Sequence, residues 1–433
     1  MIAQILFFLF TAAAIVLFSI NVRKIRRNIL LGRDEDRSDQ PAERFKTMLK
    51  VAFGQTKMTK RPVAALLHFF VYAGFVIINI EVLEIIIDGL FGTHRVFAQP
   101  LGPLYNILIG SFEILAFLVL AACVVFLIRR NVLKLRRFSG NEMTSWPKTD
   151  ANYILIIEIL LMSAFLKMNA ADYLLQQQGY GHYIQAGAFP ISQFIAVLMP
   201  QNPEYLVLIE RGCWWFHIIG ILAFLNYLPY SKHFHIIMAF PNTWYSKLEP
   251  KGQFGNMASV TNEVKAMLDP SYKPLPVVEG GKFGAKDVQD LTWKNLMDAY
   301  TCTECGRCTS VCPANMTGKL LSPRKIMMDT RDRLTEVGNN IDKHGKDYQD
   351  GKSLLDNYIT REEIWACTTC NACTEACPVN IDPLNIIVEL RRFAVMEEAQ
   401  AAASVNNMFG NIENNGAPWK YAPTDRFNWA NNS

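Results

Sequence analysis

Cys302, Cys305, Cys308 and Cys312, followed by Pro313, repeat in Cys367, Cys370, Cys373 and Cys377, followed by Pro378. Each run reads C-x2-C-x2-C-x3-C-P, the spacing of bacterial ferredoxins that hold cubane iron–sulfur clusters. Three closely spaced cysteines wrap three corners of a cube, and the fourth thiolate comes from the other run. The spacing predicts one [4Fe–4S] cluster on Cys302, Cys305, Cys308 and Cys377, and a second on Cys367, Cys370, Cys373 and Cys312. Tetrahedral zinc favours paired C-x2-C units instead. Ten cysteines in 433 residues are too sparse for a disulfide scaffold. Cys123 and Cys213 lie in apolar segments and read as packing residues.

Half of the residues are hydrophobic (51%), and the apolar ones crowd into the first 240 positions. Five runs, near 2–20, 63–87, 104–128, 152–172 and 212–236, approach the length of about 20 residues that spans a bilayer as helix. The first lacks a basic leader and a small-residue cleavage site, and is expected to stay as an anchor. Lys and Arg concentrate in 21–61 and again after the third run, from Arg129 to Lys148. The other two connections carry only Arg95 and Arg211. Positive-inside logic places the basic loops and the C-terminus in the cytoplasm and the N-terminus outside, in a cytoplasmic (inner) membrane. Reduced thiolates require that same compartment.

The expected fold is therefore mostly α: a five-helix transmembrane bundle over 1–240, then a small cytoplasmic α-helical ferredoxin-type domain over 291–398. Residues 241–290, rich in Pro, Gly and Lys, are expected as a linker with little regular structure. Within 282–300 a helix should feed the first cysteine run, and Pro323 should open another reaching about Val337. The Asn-rich tail 399–433 is expected to be extended and to bind a partner. The apolar piece 187–199 is too short to span and should form an interfacial or re-entrant helix. Trp214 and Trp215 are expected at the outer headgroup level.

Histidines in the apolar half suggest a second cofactor. His68 opens the second span, and His217 and His235 stand about 27 Å apart along the fifth, from the helical rise. Neutral imidazoles from two helices can clamp a haem iron, and His68 and His235 share a depth. His94, just beyond the second span, is the fallback partner of His217. His182 reads as a loop residue, His233 as an interfacial basic residue and His344 as exposed.

Five spans, an early histidine in span two and the stretch WWFHIIGILAFLNYLPYSKHFH resemble the gamma subunit of respiratory nitrate reductases and related membrane subunits. The resemblance implies haem b on His68, His217 and His235. The family's further ligand in span two falls at Ile78 and Asn79 here, so the resemblance carries over one haem. CTECGRCTSVCPANMTGKLLSPRK and CTTCNACTEACPVNIDP resemble the iron–sulfur half of heterodisulfide-reductase-like proteins. Longer relatives continue from a tail such as GAPWKYAPTDRFNWA into a Cys-Cys-Gly domain. The resemblance thus implies a separate redox subunit docked on this tail.

Glu81, Glu84, Asp88, Glu113, Glu158 and Lys167 fall within or beside the spans, where charge is costly and marks function by default. Lys167 is expected to pair with Glu113 or Glu84, and these three are candidates for a quinone and proton site. No nucleotide-binding glycine motif is present, and the basic runs lack the aromatic interleaving of nucleic-acid binders. The expected function is a membrane electron-transfer subunit of a quinone-linked oxidoreductase complex, passing electrons between quinone and a cytoplasmic redox partner. The alternatives are a haem-free membrane anchor for a ferredoxin-type module and an iron–sulfur redox sensor.

Overall fold

The computed structural model describes residues 1–274 and 282–431. These residues fold mostly as helices joined by turns, with two isolated β-bridges and no strand among them. The chain divides into two compact units. The first comprises Met1–Arg27, Gln40–Ser246 and Tyr300–Gly306, and the second Asn28–Asp39, Lys247–Ala299 and Arg307–Ser433.

In the first unit, five helices are long and apolar enough to cross a membrane. They are α1 (Ile2–Ile29), α3 (Pro62–Phe91), α4 (Pro103–Leu127), α5 (Trp146–Gln177) and α7 (Pro203–Tyr227). A short α2 (Pro41–Met48) precedes α3, α6 (Ser192–Ala196) lies between α5 and α7, and α8 (His235–Trp244) follows. Proline at the first turn starts α3, α4 and α7, where its missing N–H costs nothing. The side chain of Asn202 caps α7 by accepting from the Glu204 N–H. Gly92, at φ 71°, ends α3. Phe112, Ala116, Phe165 and Ile218 form a fully buried interior. Phe8, Leu9, Leu66, Phe69, Phe117 and Ile219 point outwards and are exposed, as lipid contact requires. Gly74 lets α3 approach α4: a Cβ there would stand 2.4 Å from the Val119 side chain.

Three expectations change here. Trp214 is buried, its ring 5.5 Å from that of Phe7 on α1, so it packs the interior and does not line a headgroup belt. The fifth span is not one helix to residue 236: α7 ends at Tyr227, two tight turns cover Leu228–Tyr230 and Lys232–Phe234, and α8 restarts at His235. The apolar piece 187–199 holds only the five-residue α6, with Phe194, Val197 and Leu198 exposed.

The second unit contains α9 (Ala258–Leu268), α10 (Trp293–Thr301), α11 (Pro323–His344), α12 (Arg361–Ala366), α13 (Ala372–Ala376), α14 (Pro383–Met396) and α15 (Ala403–Asn415). Two expectations are revised. The linker 241–290 contains the rest of α8 and all of α9, while its residues 275–281 lie outside the described set. The tail 399–433 is not extended throughout: α15 occupies its first half, and 432–433 are likewise outside the described set. Ser322 and Asp382 cap α11 and α14, each followed by proline at the first position. Leu296, Ile326, Leu334, Ile364, Ile386, Ile387 and Leu390 make the core. Arg333, itself buried, binds Asp287 at 2.7 Å and Asp350 at 2.6 Å. That guanidinium holds the Asp350 carboxyl down at about 2. Gly284, at φ 71°, passes so close to α14 that a Cβ would stand 2.3 Å from the Glu389 carbonyl.

Candidate metal centres

The two cysteine runs fold into matching loops. Glu304 and Gly306 in the first have φ 54° and 71°, and Thr369 and Asn371 at the same positions in the second have 54° and 59°. Left-handed residues costing about 1 kcal/mol each recur only where a tight turn demands them. The closing cysteines also match: Cys312 has φ −75°, ψ 118° and Cys377 has φ −71°, ψ 124°. The backbone N–H of Thr369 points at Cys367 Sγ (3.4 Å) and that of Ile381 at Cys377 Sγ (3.3 Å). Such N–H groups stabilise sulfur that carries charge.

The second unit brings Cys312 within electrostatic reach of both Cys367 and Cys373, and Cys370 within reach of Cys367. Burial pushes the Cys373 thiol up to about 12 and the Cys367 thiol upwards too. Thiols in such a place are inert alone, and bound iron would supply the positive charge that makes them thiolates. Arg391 adds a cation, donating to the carbonyls of Ile364 (2.9 Å) and Cys367 and lying over the Trp365 ring. Among the described residues no three His, Cys, Asp or Glu converge as tightly as a single metal ion requires. Of the other set, Cys302 and Cys305 lie in the first unit, Cys308 and Cys377 in the second.

The loop from Tyr300 to Gly306 meets a buried charge cluster at one end of the first unit. Lys232 pairs with Glu304, and its Nζ lies 3.8 Å from Asp150 Oδ2. Asp150 also accepts from Tyr227, from Ser231 Oγ (2.7 Å) and from the Lys232 N–H (3.1 Å). In the same turn, His235 Nδ1–H donates to the Lys232 carbonyl at 3.0 Å. A carbonyl only accepts, so Nε2 keeps the lone pair a metal needs. The rings of His235 and His233 are 5.5 Å apart, and His68 acts electrostatically on His233. Burial, first of all, lowers His233 to about 3 and lowers His235, so both are neutral. This corrects the reading of His233 as a basic interfacial residue. The H-x-H spacing in KHFH was the available signal. Nearer the middle of α7, buried His217 donates Nδ1–H to the Leu161 carbonyl (3.0 Å), again sparing Nε2. Residues present thus suit an imidazole-ligated haem.

The fallback pairing of His94 with His217 is not made. His94 sits against His182 and Tyr183, 3.8 Å from Asp172. It belongs to a polar network at the opposite end of the bundle, centred on buried Arg95 from the α3–α4 connection. Arg95 donates to Asp172 and Tyr105 (3.1 Å) and to Asn169 (3.1 Å). Lys167, expected at that centre, is exposed and forms no ion pair among the described residues. Both of its expected partners are engaged elsewhere. Glu113 accepts the N–H groups of Ile191 and Ser192 (3.0 Å each), and Glu84 accepts from Tyr105 (2.9 Å) and the Phe97 N–H (2.9 Å). In contrast, Glu81 Oε2 and His94 Nδ1 are buried without a partner. Sequence reasoning missed Arg95 because a lone arginine in a connection gives no sign that the loop folds inward.

The family model described as 4Fe–4S dicluster domain matches residues 294–378. The chain is 30% identical to the probable iron-sulfur-binding oxidoreductase FadF of Bacillus subtilis (strain 168), over 98% of this chain and 60% of that protein. It is 26% identical to EtfAB:quinone oxidoreductase of Syntrophomonas wolfei, over 92% of this chain and 56% of the other. One subunit of the ferredoxin/F(420)H(2)-dependent CoB-CoM heterodisulfide reductase of Methanosarcina acetivorans is a further relative, 34% identical over 23% of this chain and 49% of its own length. The chain thus spans less than two thirds of the relatives matched along its length. No solved structure matches it. With its five apolar helices, the chain is a homologue of FadF-like iron–sulfur oxidoreductases and of the iron–sulfur subunits of heterodisulfide reductases, and residues 294–378 are a 4Fe–4S dicluster domain.

Proposed function

We propose that this chain carries electrons between membrane quinone and a redox partner, through haem b and two [4Fe–4S] clusters. The observation that carries the reading is the pair of backbone-matched cysteine loops, with Cys312 set beside Cys367 and Cys373. The clusters are assigned to Cys302, Cys305, Cys308 and Cys377, and to Cys367, Cys370, Cys373 and Cys312. When bound, haem and clusters supply one-electron chemistry, and the chain's part is to place and tune them. His68 and His235 would hold the haem, with His233 packed beside them and the Lys232 carbonyl orienting His235. His217 has its own Nδ1 satisfied and stands as a ligand awaiting a partner.

Quinone chemistry also moves protons. Glu81 supports a proton-handling role better than Lys167, Glu113 or Glu84, because its buried Oε2 is uncommitted. The name of the Syntrophomonas relative, an EtfAB:quinone oxidoreductase, favours quinone as the membrane substrate. Basic loops on one side favour an inner-membrane topology with the N-terminus outside and the cluster domain in the cytoplasm. A separate Cys-Cys-Gly or other redox subunit would receive or supply the electrons at the tail. Visible and EPR spectra of the anaerobically purified full chain, reduced with dithionite, test this. A haem b alpha band with two reducible clusters per chain is expected, and reduction by a quinol should follow. Clusters without an alpha band leave the membrane anchor. A colourless, iron-free chain removes the proposal altogether.

A further inference from the structure

Lys232 is held at three points. Its N–H donates to Asp150, its carbonyl accepts from His235, and its Nζ binds Glu304 and the Pro147 carbonyl (2.5 Å). The side chains of Lys232, Glu304 and Asp150 are 9%, 2% and 2% exposed, so one cation lies buried between two carboxylates. Glu304 occupies the left-handed position between Cys302 and Cys305. Thr369 occupies the same position in the second loop at the same φ, 54°. The loop conformation therefore does not need a carboxylate there, and the carboxylate serves the pair.

We infer that Lys232 is a positioning residue that, through Glu304, fixes the Cys302–Cys305 loop to the turn bearing His235 and tunes the cluster on that loop. The inference rests on the proposed cluster and haem ligands. The transfer concerned is one electron. With haem held by His68 and His235 and a cluster on the Cys302–Cys305 loop, that electron would pass from one to the other in either direction, the donor oxidised and the acceptor reduced by one charge, with no bond or proton changed. A fixed unit charge beside the cluster biases that step electrostatically, at short range and little screened by solvent.

The test uses the full chain in detergent with Lys232→Met, Glu304→Gln and Lys232→Arg. Wild-type spectra come first: absence of haem or clusters there overturns the proposed function itself. With both cofactors present, EPR-monitored redox titration reads each cluster. In Lys232→Met two carboxylates lose their cation, and the reduction constant of one cluster should fall about tenfold. In Glu304→Gln it should rise by a similar factor, while the other cluster stays put. Rapid mixing should show slowed haem–cluster equilibration in Lys232→Met, restored in Lys232→Arg. Unmoved values, or shifts of the same sign in the first two variants, overturn the inference. Should Lys232→Met fail to assemble, the near-isosteric Glu304→Gln decides alone. Cluster loss from both also overturns it, because the pair would then serve assembly and not tuning.

Discussion

The two cysteine loops share a backbone and differ in surroundings. In the first, the left-handed Glu304 is almost wholly buried and ion-paired, and Cys302 is buried. In the second, Cys370 is exposed, and the Arg391 guanidinium on α14 donates to the Cys367 carbonyl. Spacing dictates how a loop curls around its metal, since tight turns depend on few residues. Surroundings dictate what the loop can do next. The first loop, as far as Gly306, belongs to the helical bundle's own unit, and the second presents Cys370 to solvent.

The largest effects come from exchanging the closing cysteines. Cys312→Ser should abolish the cluster held by Cys367, Cys370 and Cys373, and Cys377→Ser the one held by Cys302, Cys305 and Cys308. Iron content and EPR spin count per chain read this. Each variant losing the cluster of its own run would break the crossed assignment. Next in size is the left-handed position. Glu304→Gly relieves backbone strain but leaves Lys232 buried beside one carboxylate instead of two, and should destabilise by a few kcal/mol. Thr369→Gly should be neutral or stabilising by about 1 kcal/mol. Thermal unfolding of the two variants, if indistinguishable, would remove the contrast between the loops. Smaller is a difference in oxidant sensitivity: graded ferricyanide or air should destroy the cluster bearing Cys370 first, followed by loss of one EPR signal before the other. Smallest is Arg391→Leu, which takes a cation from beside Cys367. It should make that cluster several-fold harder to reduce and leave its neighbour unchanged.

Acid offers a check on the second unit alone. Asp350 has its carboxyl held at about 2, below its ordinary value near 4, by Arg333. A depressed carboxyl contributes stability above its unfolded value and loses it as pH falls through the folded one. The second unit should therefore weaken between about pH 4 and pH 2, and Asp350→Asn should flatten that part of the profile.

Much of this was legible in the residues. The 4Fe–4S dicluster domain follows from local cysteine spacing, and the five long apolar helices from unbroken apolar length, because both signals lie within a few turns of chain. What escaped depends on packing between distant segments. Lys167 and Arg95 carry the same charge, yet Lys167 faces outwards and Arg95 turns in to meet Asp172, and no periodicity separates them. Trp214 looked like an interfacial anchor until Phe7 covered it. Helix α15 escaped because its asparagines favour turns in isolation. Helix α9 escaped because prolines and glycines flank it on both sides.

The place of Cys312 beside Cys367 and Cys373 has a consequence for biogenesis. Some fifty residues separate Cys312 from Cys367, and a ribosome adding about 5–20 residues per second takes several seconds to cover them. On the proposed crossed assignment, the nascent chain would hold a complete first run throughout that interval but neither complete ligand set. Under that assignment, delivery of either inorganic core would await translation of the second run, making loading a late and concerted event in the life of the polypeptide.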